Sequence, residues 1–288
     1  MKIEEYIPVI DRELAESIPQ IEGEHSAVAD MMRYCLENGG KRVRPYLVLE
    51  FCRICGGNFK KALPVAAAIE FLHTYSLVHD DLPCMDDSDT RRGRPSAHVK
   101  FGEANALLCG DALLTESFGL IASAEIPPYA AVRCVSELSW LAGADGMVGG
   151  QYRDLLNESR ECSAPDMIST EELKTCALIR AACCMGCYCA GADSDRCDAA
   201  DGFGHDLGLA FQIRDDILDV TADPEILGKP VGGDEQNQKN TYVSILGLEK
   251  AQAEVERLTT SAIRRLGVFG AAADDLRAFA GMLAKRDH

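Results

Sequence analysis

The chain has 288 residues, 47% of them hydrophobic and 26% charged, a globular composition that excludes disorder and fibrous repeats. Its 29 basic and 46 acidic residues leave a formal net charge of −17, which repels phosphate backbones and argues against nucleic acid as a partner. The longest run without a charged residue, Ala181 to Ala192, falls short of the roughly 20 residues that cross a bilayer, so no membrane span is expected. Glu4 and Glu5 stand where an export signal would be apolar, which makes the cytoplasm the expected location. Thirteen cysteines, an odd number, then read as reduced thiols. The C-x-x-C spacings at Cys52 and Cys55 and within Cys183, Cys184, Cys187 and Cys189 lack the histidine or second spaced pair of a zinc pattern, so these side chains read as small packing residues in helices.

In chain order, apolar residues recur at spacings of three and four over Val65 to His79, Glu103 to Ser123, Thr170 to Tyr188, Ala199 to Val220 and Lys250 to Leu266, each predicting a helix. Gly39-Gly40, Gly56-Gly57-Asn58, Pro127-Pro128, and Pro230 with Gly232-Gly233 punctuate the chain where helices should end. Alternating β-branched runs are scarce, and no linker or repeat divides the sequence. The expectation is an all-α, single-domain helical bundle over residues 1–288, with about ten helices and its site in the core between facing helices. The segment Gly191 to Asp198 reads as a connecting loop.

Two aspartate clusters carry the chemistry. In the first, Asp80 and Asp81 end a helix that Pro83 cannot continue, leaving Asp86 on the next turn, free to fold back toward the pair. In the second, Gln212, Asp215 and Asp219 share one helical face, and like charges four residues apart require compensation. A solvated acidic face is the alternative for either cluster alone, but both are embedded in apolar sequence. Oxygen-only ligands suit Mg²⁺, which keeps waters and bridges one or two carboxylates to a substrate phosphate. An EF-hand is excluded after Asp80 because its ligand ladder and central glycine are missing. Cationic partners for an anion occur in short runs: Gly39-Gly40-Lys41-Arg42-Val43-Arg44-Pro45, Arg91-Arg92, Lys174-Thr175, Lys229 and Lys239.

These runs, with H-x-Y-S-L-V-H-D-D-L-P-x-M-D-D at 73–87, R-R-G-R-P at 91–95, H-V-K-F-G-E-A-N-A at 98–106, G-D-A-L at 110–113, G-G-Q-x-x-D-L at 149–155, K-T-x-A-L-I-R-A at 174–181 and F-Q-I-R-D-D-I-L-D at 211–219, resemble the trans-isoprenyl diphosphate synthases, most closely the bacterial farnesyl diphosphate synthases. The resemblance implies the isoprenoid synthase fold around a central cavity, a homodimer, and two diphosphate sites. It implies that Asp80, Asp81, Asp86, Asp215 and Asp219 hold Mg²⁺ on an allylic diphosphate contacted by Arg91, Lys174, Thr175, Gln212, Lys229 and Lys239. It assigns Gly40, Lys41, Arg44, His73 and Arg92 to isopentenyl diphosphate, although a lone histidine on an apolar helix is otherwise a core residue. The implied reaction is ionisation of the allylic diphosphate followed by condensation, with no protein nucleophile. Two departures stand out: Cys176 replaces the glycine that usually follows Lys-Thr, and the surroundings of Lys239 lack the usual glycine and proline.

Tyr75 and Ser76 lie five and four residues before Asp80, one helical turn or more deeper than the metal-binding end, where a growing hydrocarbon tail would point. Tyr75 is read as the floor that stops growth at farnesyl diphosphate, the rival reading being a core aromatic. Geranylgeranyl or geranyl diphosphate synthesis is the nearest alternative. A class I terpene cyclase would not need Lys41, Arg44 and Arg92, a non-catalytic subunit would be expected to have lost aspartates, and a purely structural helical protein would leave the paired acids unexplained.

Overall fold

The computed structural model describes residues 1–158, 163–221 and 241–286, which form two compact units: 1–135 with 188–190, and 136–187 with 191–288. The first is built from α1 (Ile3–Glu16), α2 (Ala27–Leu36), α3 (Val43–Ile54), α4 (Leu63–Asp80), α5 (Ala97–Phe101), α6 (Glu103–Ser123) and the start of α7 (Pro128–Ala142). Helix α4 is apolar on every face, with Val65, Ala66, Ala67, Ala68, Ile69, Phe71 and Leu72 all buried, so it serves as the central helix with α3 and α6 packed on it. At Gly110 a Cβ would come within 2.1 Å of the His79 ring; the absent side chain lets α6 close onto α4 just before the first aspartates.

The expected helix at Glu103–Ser123 has those bounds. A two-residue ribbon, Thr90–Arg91 paired with Arg94–Pro95, was not expected from the sequence. Its turn places Arg92 (φ 52) and Gly93 (φ 74) in the left-handed region, the requirement of a type I′ hairpin, and so directs two arginines from one tight corner.

The second unit contains α8 (Met147–Glu158), α9 (Ala164–Glu171), a π-helical turn (Glu172–Cys176), most of α10 (Ala177–Ala190), α11 (Ser194–Thr221), α12 (Tyr242–Leu246), α13 (Leu248–Arg265) and α14 (Asp274–Lys285). Helix α11 packs along α13 over a core of Met167, Cys176, Leu209, Ile213, Ile217, Tyr242, Val255 and Leu258. The helix expected over Thr170–Tyr188 is present within a continuous run from Ala164 to Ala190, widened by one π-turn at Glu172–Cys176. Only residues 191–193 of the expected loop are a loop, because α11 starts at Ser194. The twelve cysteines among the described residues are free thiols.

Candidate active site

In the first unit, the glycine-rich entry to α3 sets the basic residues apart by role. Arg42, at φ 48, turns inward and is buried, donating to Asp11 at 2.9 Å, to Glu70 at 2.9 Å and to the Leu36 carbonyl at 2.8 Å; it is structural. Gly40, at φ 127, lies under the Arg92 guanidinium, where a Cβ would sit 2.7 Å from Cζ, and Arg92 donates to the Gly39 carbonyl. Lys41 is exposed. Arg44 approaches His73, with Nη1 3.3 Å from Nε2. Burial, then the positive charges of Arg44, Arg92, Arg91 and Arg42, hold the His73 pKa well below its ordinary value, so the ring is neutral and accepts from Arg44. With Arg42 committed to Asp11 and Glu70 and Arg91 to Asp81, Arg44 and Arg92 are the arginines of this corner suited to an anion.

On the same helix, Asp80 is the last helical residue and Asp81 the cap. The loop after Pro83 folds back: the Asp86 amide donates to the Asp80 carbonyl at 2.9 Å and the Ser88 amide to the Asp81 carbonyl at 3.2 Å. Asp80 is half-buried, Asp86 is exposed, and Asp81 is buried under Arg91, whose Nε lies 3.1 and 3.2 Å from its two carboxylate oxygens. A cleft behind this pair is lined by Tyr34, Cys35, Asn38, Asp81, Arg91 and Arg92. One turn deeper, Tyr75 is 8% exposed and meets the His79 ring edge-on at 5.5 Å. Burial and the Asp80 charge push its phenol pKa up. Ser76 is half-buried and bonds to the His73 carbonyl at 2.8 Å.

In the second unit, Lys174 and Thr175 sit in the π-turn, a geometry that lifts side chains out of helical register and recurs at functional sites. Lys174 Nζ pairs with Asp154 at 2.6 Å, and the Thr175 hydroxyl donates to Glu171 at 2.8 Å with Gln212 Oε1 3.3 Å away. Gly150 makes this possible, since a Cβ there would lie 2.3 Å from the Lys174 nitrogen. Cys176, in the glycine's place, is fully buried against Gly208 of α11 and so does not crowd the turn. Asp154 and Glu171 were not singled out in the sequence; the G-G-Q-x-x-D-L run held the signal for the first.

On α11, Asp215 has a side chain 45% exposed, whereas Asp219 is 4% exposed. The intervening Asp216 is structural, accepting from Gln212 Nε2 at 3.0 Å and from the Tyr242 amide at 2.8 Å. Lys229 and Lys239 lie outside the described residues.

The donors of both clusters are carboxylate oxygens at or near helix ends. That chemistry fits Mg²⁺, which needs only one or two carboxylates besides water and phosphate. Among the described residues, the one trio of potential ligand atoms lying within 4.8 Å of one another is Glu137, Cys184 and Asp201, outside both clusters. Arg180 already holds its Asp201 in a fork, at 2.8 and 3.1 Å.

A profile of the polyprenyl synthetase family matches residues 25–267, a span that includes both aspartate clusters and the basic residues placed above. The chain belongs to the polyprenyl synthetase family. It is 44% identical to the farnesyl diphosphate synthase of Bacillus subtilis over 89% of this chain and 88% of that protein. It is also 38% identical to the geranylgeranyl diphosphate synthase of Cyanophora paradoxa over 97% and 94%. The solved geranyltransferase of Helicobacter pylori complexed with magnesium and isoprenyl diphosphate superposes with a TM-score of 0.89 at 34% identity, over 99% of this chain and 97% of that one. As a polyprenyl synthetase the chain has the all-α isoprenoid synthase fold and the activity class of a trans-prenyltransferase.

Proposed function

We propose that this trans-prenyltransferase condenses isopentenyl diphosphate with dimethylallyl and then geranyl diphosphate, ending at (E,E)-farnesyl diphosphate. The observation that carries the reading is the arrangement of cations: Arg44 lies against the neutral His73 ring and Arg92 lies over Gly39-Gly40, while Arg91 and Lys174 are each bound to an aspartate. A diphosphate gripped by side chains alone suits the first group, the site proposed for isopentenyl diphosphate with Lys41 and Gly40. A diphosphate gripped through metal suits the second, the allylic site, to which Thr175, Gln212, Lys229 and Lys239 are also assigned.

Asp80, Asp81, Asp86, Asp215 and Asp219 are the proposed Mg²⁺ ligands. The bound ion supplies neutralisation of the charge that develops on the departing diphosphate. Lys174 and Arg91, each assigned to the allylic diphosphate, would supply fixed positive charge, which lowers the barrier when it is oriented before ionisation begins. Arg44 and Arg92 hold the second diphosphate so that the isopentenyl double bond meets the allylic carbon in an attacking geometry. The apolar wall of α4 excludes water from the cation, and proton loss to the released diphosphate completes the product. Tyr75 is the proposed floor, with Ser76 beside it. Similarity to both farnesyl and geranylgeranyl synthases keeps geranylgeranyl or geranyl diphosphate synthesis as the second reading of the product.

The proposal extends to a single functional domain and a cytoplasmic homodimer. On α7, Tyr129, Val132 and Trp140 are 57%, 68% and 56% exposed, and on the 21-residue helix α6 Leu107 and Leu108 are also exposed. Helix α6 is long and apolar enough to cross a membrane by length and composition, as is Ala164–Ala190. A two-fold contact through α6 and α7 would cover this apolar surface. Asp80→Asn and Asp215→Asn test the metal assignment: each should lose most of kcat, and near-normal kcat in either removes that residue from the ligand set.

A further inference from the structure

The like charges along α11 demanded compensation, and for Asp215 it comes from the far end of the chain. Arg286, the extended residue that caps α14, returns to α11 with its side chain 8% exposed. Its Cζ lies 3.9 Å from the centroid of the Phe211 ring, and Nη2 donates to the Phe211 carbonyl at 3.2 Å and to Asp215. Arg214 straps the same residue by its backbone, with Nε and Nη2 at 2.9 and 2.5 Å from the Arg286 carbonyl. The fit is incomplete: Arg286 Nε is buried without a hydrogen-bond partner. A buried guanidinium with one N–H unsatisfied, paired to a carboxylate that is still 45% exposed, holds that partner weakly.

Two cations cannot occupy the Asp215 carboxylate at full strength. On the reading of Asp215 as a Mg²⁺ ligand, we propose that Arg286 is a positioning residue, a built-in counter-ion that holds this carboxylate in place until a divalent cation takes it, whereupon Arg286 is released. Arg214, which the sequence motif contains but the reaction leaves unassigned, is the strap that keeps Arg286 in reach. The device orders Asp215 in the empty enzyme at the expense of some metal affinity.

The test is the Mg²⁺ half-saturation of inorganic pyrophosphate binding, measured by calorimetry on the full chain without turnover. Removing the rival cation in Arg286→Ala should lower the half-saturation two- to fivefold, the equivalent of about 0.4–1 kcal/mol for a half-exposed ion pair. Arg286→Lys should restore the wild-type value, and Arg214→Ala should shift it in the same direction as Arg286→Ala. In the unaltered protein, hydrogen exchange in the C-terminal peptide carrying Arg286 should rise when Mg²⁺ and pyrophosphate are added together. An unchanged or higher half-saturation in Arg286→Ala, or no change in exchange, overturns the proposal. An Asp215→Asn protein with wild-type half-saturation would instead show that Asp215 is no ligand, which is failure of the parent reading.

Discussion

Replacing Arg44 with alanine tests the anion corner of the first unit by two independent readouts. Arg44 is half-buried, donates to His73 across 3.3 Å, and is the largest charge-based cause of that ring's depressed pKa. If its guanidinium also grips a diphosphate, the loss is one charge-assisted contact in a partly desolvated site, about 2–3 kcal/mol. At 1.4 kcal/mol per decade this is a rise of roughly 30- to 140-fold in KM for isopentenyl diphosphate, with KM for the allylic substrate little changed. The His73 pKa should rise in the same variant, because one repelling charge is gone while burial persists. Initial rates with each substrate varied separately, and an NMR titration of His73, read the two effects. A variant with equal losses for both substrates, or with His73 unmoved, would refute the reasoning.

Other consequences follow from the same geometry. Tyr75→Ala should extend the product toward geranylgeranyl diphosphate while leaving the first condensation largely intact, at a stability cost of about 2–5 kcal/mol for so buried a ring; a variant that still stops at farnesyl diphosphate shows that Tyr75 is not the floor. Light scattering should give about twice the 31.2 kDa chain mass, and Val132→Asp with Trp140→Glu should shift it toward one chain; a native protein at a single chain mass refutes the dimer. The hydrogen bond from His205 to Asp206, then its partner Glu172, raises the His205 pKa. Its contribution to stability is therefore fully present below about pH 6.5 and lost as pH rises through the folded value, so the Tm difference between the native protein and His205→Asn should shrink above neutrality. A difference that grows with pH would contradict this.

The parts of the structure governed by local periodicity were legible in the sequence. Glu103–Ser123 has the expected bounds, and α4 stops before Pro83, whose missing N–H and fixed φ act within a few residues and left Asp86 free to return to Asp80. What depended on tertiary approach was not legible. The wide turn at Glu172–Cys176 arises where α8 closes on it at Gly150, a contact 24 residues away that no helical spacing reveals. Arg42 and Arg44 look alike in one basic run, yet a left-handed backbone turns the first into the core toward Glu70 and leaves the second beside His73. Of the paired aspartates, Asp216 serves α12 through the Tyr242 amide, a division of labour fixed by a segment far along the chain. Arg286 carried no motif at all.

The most direct test of the account is incubation of the purified protein with dimethylallyl and isopentenyl diphosphates, with Mg²⁺ and with excess chelator, followed by chromatography of the products. The account predicts farnesyl diphosphate with Mg²⁺, none with chelator, and recovery when Mg²⁺ is restored. Turnover that persists in excess chelator, or no prenyl product with Mg²⁺ present, would contradict it.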